Sequence, residues 1–239
     1  MTPDRPQLAS EDELVREVIR IYQRYAREVV ERFDFCPWAT RARREGAAEP
    51  YVLLGDDSND FSGSLQLIDA LAARPQISVG LLIYPRFRLG RLDFEHFVRR
   101  LRKADGDRYE PGDLPFAMAA FHPHAEPDLS DAERMVPFLR RSPDPTIQLV
   151  RCDALSSVRG EPTNGTSLVE VWMLSPAGLA KEEALGVRER IALNNLKTVR
   201  EVGPSAVETV LADIERDREA TYARLGLPPR AGVSDPSTR

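Results

Sequence analysis

Apolar residues follow one another at helical spacing early in the chain and form short continuous runs through its middle. Between Leu14 and Phe33 they recur three or four positions apart, which predicts a long amphipathic helix that ends near Asp34. Short apolar runs, the candidates for strands, lie at 51–54, 77–84, 116–121 and 146–151. Continuous runs of this kind are typical of a sheet that helices cover on both faces.

Helical patterns at 64–73, 93–103 and 130–140 separate these four strands. We therefore predict an α/β fold with a small four-stranded sheet, largely parallel and possibly mixed, flanked by helices and followed by a helical C-terminal extension. If each helix is a crossover, the strands are parallel; a sheet with one reversed strand is the alternative.

The chain divides into four predicted parts: a flexible lead at 1–10, an α/β core domain at 11–160, a helical extension packed on the core at 161–227, and a disordered tail at 228–239. Serine followed three positions later by glutamate forms a capping box, a frequent start of a helix. Such boxes occur at Ser10–Glu13, Ser130–Glu133 and Ser205–Glu208.

Composition narrows the classes of function. The chain of 239 residues is 42% hydrophobic and 30% charged, which is typical of a globular protein. Its net charge of −5 argues against nucleic acid or a membrane surface as partner, because both require a basic footprint. No signal peptide and no membrane-length apolar run are visible, and two cysteines form no disulfide framework. We expect a cytoplasmic protein; composition assigns neither a cofactor nor an oligomeric state.

Polar residues follow each predicted strand. Asp56 follows the first, Arg86 the second, His122 the third, and Arg151 with Cys152 ends the fourth. In a parallel sheet these residues would meet at the carboxyl edge of the strands, where ligands bind. Asp56 stands in a loop of ordinary solvated character, and we assign it no function.

His122 has two possible roles. An imidazole that leaves a buried strand can act as an acid or base near neutral pH, or it can cap the sheet by hydrogen bonding. Metal binding is a minor alternative, although the neighbouring prolines favour a geometry that scatters the side chains. The residues considered as metal ligands are His122, His124, Glu126 and Asp128, with Cys36 or Cys152.

Cys36 stands at the end of the first helix, where Pro37 disfavours helical geometry. A free cysteine can pack as a small hydrophobe, here between Phe35 and Trp38. It can also be a reactive thiol if a cation or a helix N-terminus lowers its pKa.

Two adjacent arginines, Arg140 and Arg141, precede a proline-rich entry to the fourth strand. The planar fork of arginine fits a carboxylate or a phosphate. The alternative is a structural one, since cations are also favoured at the C-terminus of a helix.

Four stretches in this order, FCPWA, GLLIYP, AAFHP and RRSPDPTIQLVR, resemble the bacterial proteins grouped as domain of unknown function 1415, over about residues 15 to 160. The family motif falls on Cys36, Pro37, His122, Pro123, Arg141, Ser142, Pro143, Pro145 and Arg151. His124 stands where the family tends to carry an acidic residue, and the segment from Glu161 is longer than usual. The resemblance implies no established activity; it selects residues without naming a reaction.

The leading hypothesis is an enzyme acting on a small anionic substrate, with Cys36 as nucleophile and His122 as acid or base. The expected substrate-binding residues are Arg141, Arg151, Arg86 and Trp38. The alternative is a non-catalytic binding or scaffold module in which the CPW and FHP motifs are structural. The catalytic hypothesis requires Cys36, His122 and an arginine around one pocket.

Overall fold

The computed structural model describes residues 10–36, 39–110, 112–125, 128–154 and 187–228. Most of the predicted lead, the part of the predicted extension at 161–186 and the predicted tail after residue 228 lie outside these ranges. The described elements are α1 (Glu11–Tyr25), a π-helical segment (Ala26–Glu31), α2 (Ala39–Arg44), β1 (Ala48–Val52), α3 (Ser62–Ala72), β2 (Val79–Ile83), α4 (Arg91–Gly106), β3 (Phe116–Phe121), α5 (Val136–Leu139), β4 (Thr146–Arg151), α6 (Val187–Val202) and α7 (Pro204–Arg224).

The four strands form one mixed sheet in the order β1-β2-β4-β3. β1 and β2 are parallel, whereas β4 is antiparallel to both of its neighbours. Thr146 at the start of β4 therefore pairs with Ile83 and Phe121, the last residues of β2 and β3. We call this side of the sheet, where β1, β2 and β3 end and β4 begins, the upper edge. The predicted α/β class is confirmed, and the alternative with one reversed strand is the one observed.

Both faces of the sheet are covered, because side chains alternate between faces along a strand. In β2, Leu81 and Ile83 join a core formed with α1, α6 and α7, here called the α1–α7 core. Leu82 and the following Tyr84 join a second core formed with α3 and α4, the α3–α4 core. These two layers of helices explain why the strands are apolar without alternation.

The first helix follows its predicted pattern. The Ser10 hydroxyl accepts the amide hydrogen of Glu13 at 3.2 Å, as the capping box requires. The second half of the predicted helix is π-helical rather than α-helical. Asp34, at φ 53°, then ends the helix, and the Phe35 amide donates to the carbonyl of Val30 at 2.9 Å.

The other two predicted capping boxes are wrong. α7 begins one residue before Ser205, at Pro204, since proline is well suited to the first helical position. The Ser130 hydroxyl instead donates to Asp128 at 2.6 Å. Only the last part of the predicted 130–140 helix is α-helical, in the single turn of α5.

The C-terminal helices supply a large part of the α1–α7 core. Their buried residues share that core with the apolar stripe of α1 and with β2, so their removal would uncover one face of the sheet. The contributing residues are Leu196, Val199, Val207, Leu211, Ile214, Tyr222 and Leu225.

A buried ion pair joins α7 to the loop before β4. Asp144 and Arg218 each have side chains only 2% exposed, and the Asp144 carboxylate accepts from the Arg218 guanidinium at 2.7 and 2.8 Å. The Tyr222 hydroxyl donates to the second carboxylate oxygen at 2.7 Å. Ser142 and Thr146 donate their hydroxyl hydrogens to the Asp144 carbonyl. This set fixes the C-terminal helix against the upper edge.

Replacing Asp144 by alanine leaves the Arg218 charge buried without its partner, so we expect a loss of about 3–5 kcal/mol in the free energy of unfolding. Urea denaturation followed by circular dichroism measures this loss. The matched control is Asp213→Ala on the same helix, whose exposed carboxylate pairs with Arg24 and Arg216. The control should leave the urea midpoint nearly unchanged. Equal midpoints for the two variants would contradict the central role of the Asp144 cluster.

Candidate functional site

Tyr25, the last residue of α1, lies at the centre of the polar groups near the upper edge. Its side chain is fully buried, and its hydroxyl donates to the carbonyl of Leu139 at 2.9 Å. Burial raises the pKa of Tyr25 well above its ordinary value; Tyr22 and, to a smaller extent, Cys36 add to the rise, and the positive charges of Arg140 and Arg141 oppose it. The buried hydroxyl therefore lies beside the backbone that leads into Arg140 and Arg141.

Cys36 reaches this position because the first helix ends sharply. Phe35 is buried and stacks on Phe33 with ring centroids 5.5 Å apart, which anchors the chain after the turn at Asp34. Cys36 itself is half-buried. It also contributes to raising the pKa of Tyr22, although burial of that tyrosine is the larger cause. Its neighbours Pro37 and Trp38 lie outside the described residues.

His122 uses both ring nitrogens in hydrogen bonds to the backbone. Its Nδ1 accepts the amide hydrogen of His124 at 3.2 Å, so the ring hydrogen must lie on Nε2, which donates to the carbonyl of Leu89 at 3.1 Å. The side chain is buried, and its ring lies 5.9 Å from that of Phe94. These contacts fit the expectation that a histidine here caps the sheet by hydrogen bonding.

Arg141 links the loop after β3 to α7. Its Nε donates to the carbonyl of Pro123 at 3.3 Å, and its Nη1 lies 3.7 Å from a carboxylate oxygen of Glu208. The guanidinium also lies over the ring of Phe138, and the side chain remains 26% exposed. Arg141 can therefore be reached from solvent while its orientation is held from three sides.

Arg151 lies at the opposite edge of the sheet from these groups, because β4 runs against its neighbours. Its guanidinium donates to the carbonyls of Leu71, Arg74 and Ile77, each at 2.8 Å. Arg151 thus satisfies carbonyl groups at the C-terminus of α3 and just beyond it. The candidate site is at the upper edge, and Arg151 therefore lies apart from it, at the opposite edge. Cys152 follows it at the same edge, and burial raises the pKa of its thiol.

Arg86 is at the upper edge, but its guanidinium is hydrogen-bonded to other residues of the protein. Its guanidinium donates to the carbonyl of Leu54 at 3.0 Å and to the carboxylate of Glu11 at 3.3 Å. These bonds hold the segment after β1 against the start of α1.

Phe35, which precedes Cys36, and the His122 ring are associated with different cores. Phe35, whose carbonyl belongs to the Phe35–Cys36 peptide group, lies in the α1–α7 core with Tyr22 and Tyr25. The His122 ring lies beside Phe94 of the α3–α4 core. The chain before Cys36 therefore packs in the same core as Tyr25 and Leu139, whereas the His122 ring packs against Phe94.

The segment after β3 contains most of the residues named as possible metal ligands. Glu126 lies outside the described residues; among those that are described, no group of three or more His, Cys, Asp or Glu side chains is placed as metal ligands would be. The described helices likewise include none that is both long and apolar enough to cross a membrane.

Tyr25 is the site residue that the sequence pattern missed. The helical spacing predicts that the ring of Tyr25 is buried, and it is. The spacing gives no information about the partner of its hydroxyl. A tyrosine within a buried stripe needs a hydrogen-bond partner, and this need is the signal that would have selected it.

Residues 17–170 match the model of a protein family described as "Protein of unknown function (DUF1415)". The match spans all the motifs discussed above, from Cys36 to Arg151, and ends before α6 and α7. Comparison with curated proteins and with solved structures gave no match.

Replacing His122 by alanine removes both backbone hydrogen bonds of its ring, and we expect a loss of about 1–3 kcal/mol in the free energy of unfolding. Urea denaturation measures the loss, and His96→Ala, at an exposed position of α4, is the control. If His122→Ala is as stable as the control, the ring does not act as a structural clamp.

Proposed function

The chain belongs to the family of proteins of unknown function designated DUF1415, and we propose that it is an enzyme acting on a small anionic substrate through the thiol of Cys36. The observation that supports the proposal is that the Tyr25 hydroxyl donates to the Leu139 carbonyl, directly before Arg140 and Arg141, while Phe35, directly before Cys36, packs in the same core. A nucleophile beside fixed positive charge is a recurrent arrangement in thiol enzymes.

Arg140 and Arg141 supply the anion-binding part of the proposed site. Arg141 is held by the Pro123 carbonyl and by Glu208, and it keeps a quarter of its side chain exposed. A guanidinium that is fixed before the ligand arrives loses little entropy on binding a carboxylate or phosphate. Arg140 adds its charge from the neighbouring position, with its guanidinium 5.5 Å from the ring centroid of Phe121.

The proposed reaction is a nucleophilic displacement or addition at an electrophilic carbon of the substrate. The thiol gives its proton to solvent, the sulfur of Cys36 forms a bond to that carbon, and the electron pair of the broken bond leaves with the departing group or moves onto oxygen. The arginines hold the anionic end of the substrate so that the carbon meets the sulfur.

His122 receives a positioning role in this proposal rather than that of acid or base. Its ring bonds fix the segment whose Pro123 carbonyl binds Arg141. Arg86 similarly supports the segment after β1. Trp38, two positions from Cys36, remains a proposed apolar wall for the substrate.

A non-catalytic anion-binding module is the second candidate. It is favoured by the commitment of both His122 ring nitrogens to the backbone, which leaves the thiol without that imidazole as its base. In this case the two arginines would bind the anion, and Cys36 would pack beside Tyr22 and Tyr25.

The proposal predicts that Cys36 prefers an anionic alkylating reagent. In a Cys152→Ser background, Arg141→Gln should lower the ratio of the iodoacetate rate to the iodoacetamide rate at Cys36 by about three- to ten-fold, because it removes attraction of the carboxylate. Mass spectrometry of timed samples at low salt measures both rates, and each ratio is taken relative to glutathione.

Two further variants make the test specific. Arg141→Lys keeps the charge and should retain most of the preference. Arg134→Gln removes an exposed arginine that pairs with Asp128 and Asp131, and it should leave the ratio unchanged. An unaltered ratio in Arg141→Gln would contradict the anion site. A Cys36 that reacts with neither reagent would favour the binding module.

A further inference from the structure

Asn195, on α6, touches the peptide group that carries Cys36. Its side-chain nitrogen, Nδ2, donates to the carbonyl of Phe35 at 3.1 Å, and this carbonyl belongs to the peptide bond between Phe35 and Cys36. Asn195 is only 5% exposed. The C-terminal part of the chain, beyond the family match, thus reaches directly to the backbone of the candidate nucleophile.

The oxygen of the same amide has no hydrogen-bond partner although it is buried. Rotating the amide would not remove the problem, because a carbonyl such as that of Phe35 accepts hydrogen bonds and must face the nitrogen. A buried acceptor without a donor is unfavourable, and such groups in folded proteins call for an explanation. With its nitrogen fixed on Phe35, the Oδ1 of Asn195 lies beside the Cys36 peptide.

We propose that Asn195 is a substrate-binding residue whose Oδ1 accepts a hydrogen bond from an N–H or O–H group next to the reactive carbon of the substrate. The inference rests on the proposed function, since it assumes that ligands approach Cys36. It narrows the substrate class to small carboxylates or phosphates that carry a hydroxyl, amino or amide group near the carbon attacked by the thiol.

Two neutral reagents separate this role from a structural one. Iodoacetamide carries N–H donors next to its reactive carbon, and N,N-dimethyl-2-iodoacetamide carries none. Each forms one sulfur–carbon bond to the thiolate and releases iodide with the electron pair of the carbon–iodine bond. The ratio of their rates at Cys36 reports hydrogen bonding to the reagent, whereas general damage to the site lowers both rates together.

We expect Asn195→Leu to lower the ratio of the iodoacetamide rate to the dimethyl rate at Cys36 by about three- to ten-fold, the effect of one hydrogen bond. Leucine is close to asparagine in size and therefore keeps the steric demands on the two reagents similar. Asn194→Leu, at the exposed neighbouring position of α6, is the matched control and should keep the original ratio.

The unaltered protein provides a second measurement that does not depend on a variant folding. Peptide mapping gives the same ratio at Cys152, which lies at the opposite edge of the sheet, and the ratio at Cys36 should exceed it. Equal ratios at the two thiols, or a ratio at Cys36 that Asn195→Leu leaves unchanged, would overturn the role of Asn195.

The outcomes also separate this inference from the proposed function. Cys36 can prefer iodoacetate and yet show no preference for iodoacetamide over its dimethyl analogue. That result would support the anion site and contradict only the role of Asn195. If Cys36 reacts with none of the reagents, both proposals fail.

Discussion

The buried pair of Asp144 and Arg218 is the constraint on which the upper edge of the sheet depends. A carboxylate removed from water requires a charged partner and further donors, and here Arg218 and Tyr222 provide both from one face of α7. Arg218 and Tyr222 are four positions apart, which places them on the same side of a helix. Neither the loop before β4 nor α7 can shift along the other without breaking this set.

Fixing that loop also fixes the groups proposed to act on a substrate. Arg140 and Arg141 lie immediately before the anchored segment, so their backbone positions follow from the Asp144 cluster. The carbonyl of Arg140 accepts the amide hydrogen of His122 at 3.0 Å, which connects the end of β3 to the same anchor. The family motif around the two arginines therefore contains residues that bind α7 and a partly exposed arginine, Arg141, that is proposed to bind a ligand.

Much of this fold could be predicted from the chain, and the failures have identifiable causes. β3 and β4 begin and end where their apolar runs do, because a buried strand needs apolar residues on both faces. An apolar run does not indicate the direction of its strand, so the antiparallel orientation of β4 could not be predicted. For this reason the sequence places Arg151 at the wrong end of the sheet. The role of Asp144 was also invisible, because its partners lie more than 70 residues away in sequence.

The candidate site is assembled from three separated parts of the chain: the end of the first helix, the loop before β4, and α6. No local motif holds such a site together, so its geometry must come from long-range packing. Keeping the oxygen of Asn195 buried without a partner opposes folding, and this cost has to be offset elsewhere. The Asp144 cluster and the α1–α7 core provide that stability through α7, which follows α6 after a single glycine, Gly203. The C-terminal helices thus stabilise the fold and bring to the proposed nucleophile a polar atom that the fold itself does not use.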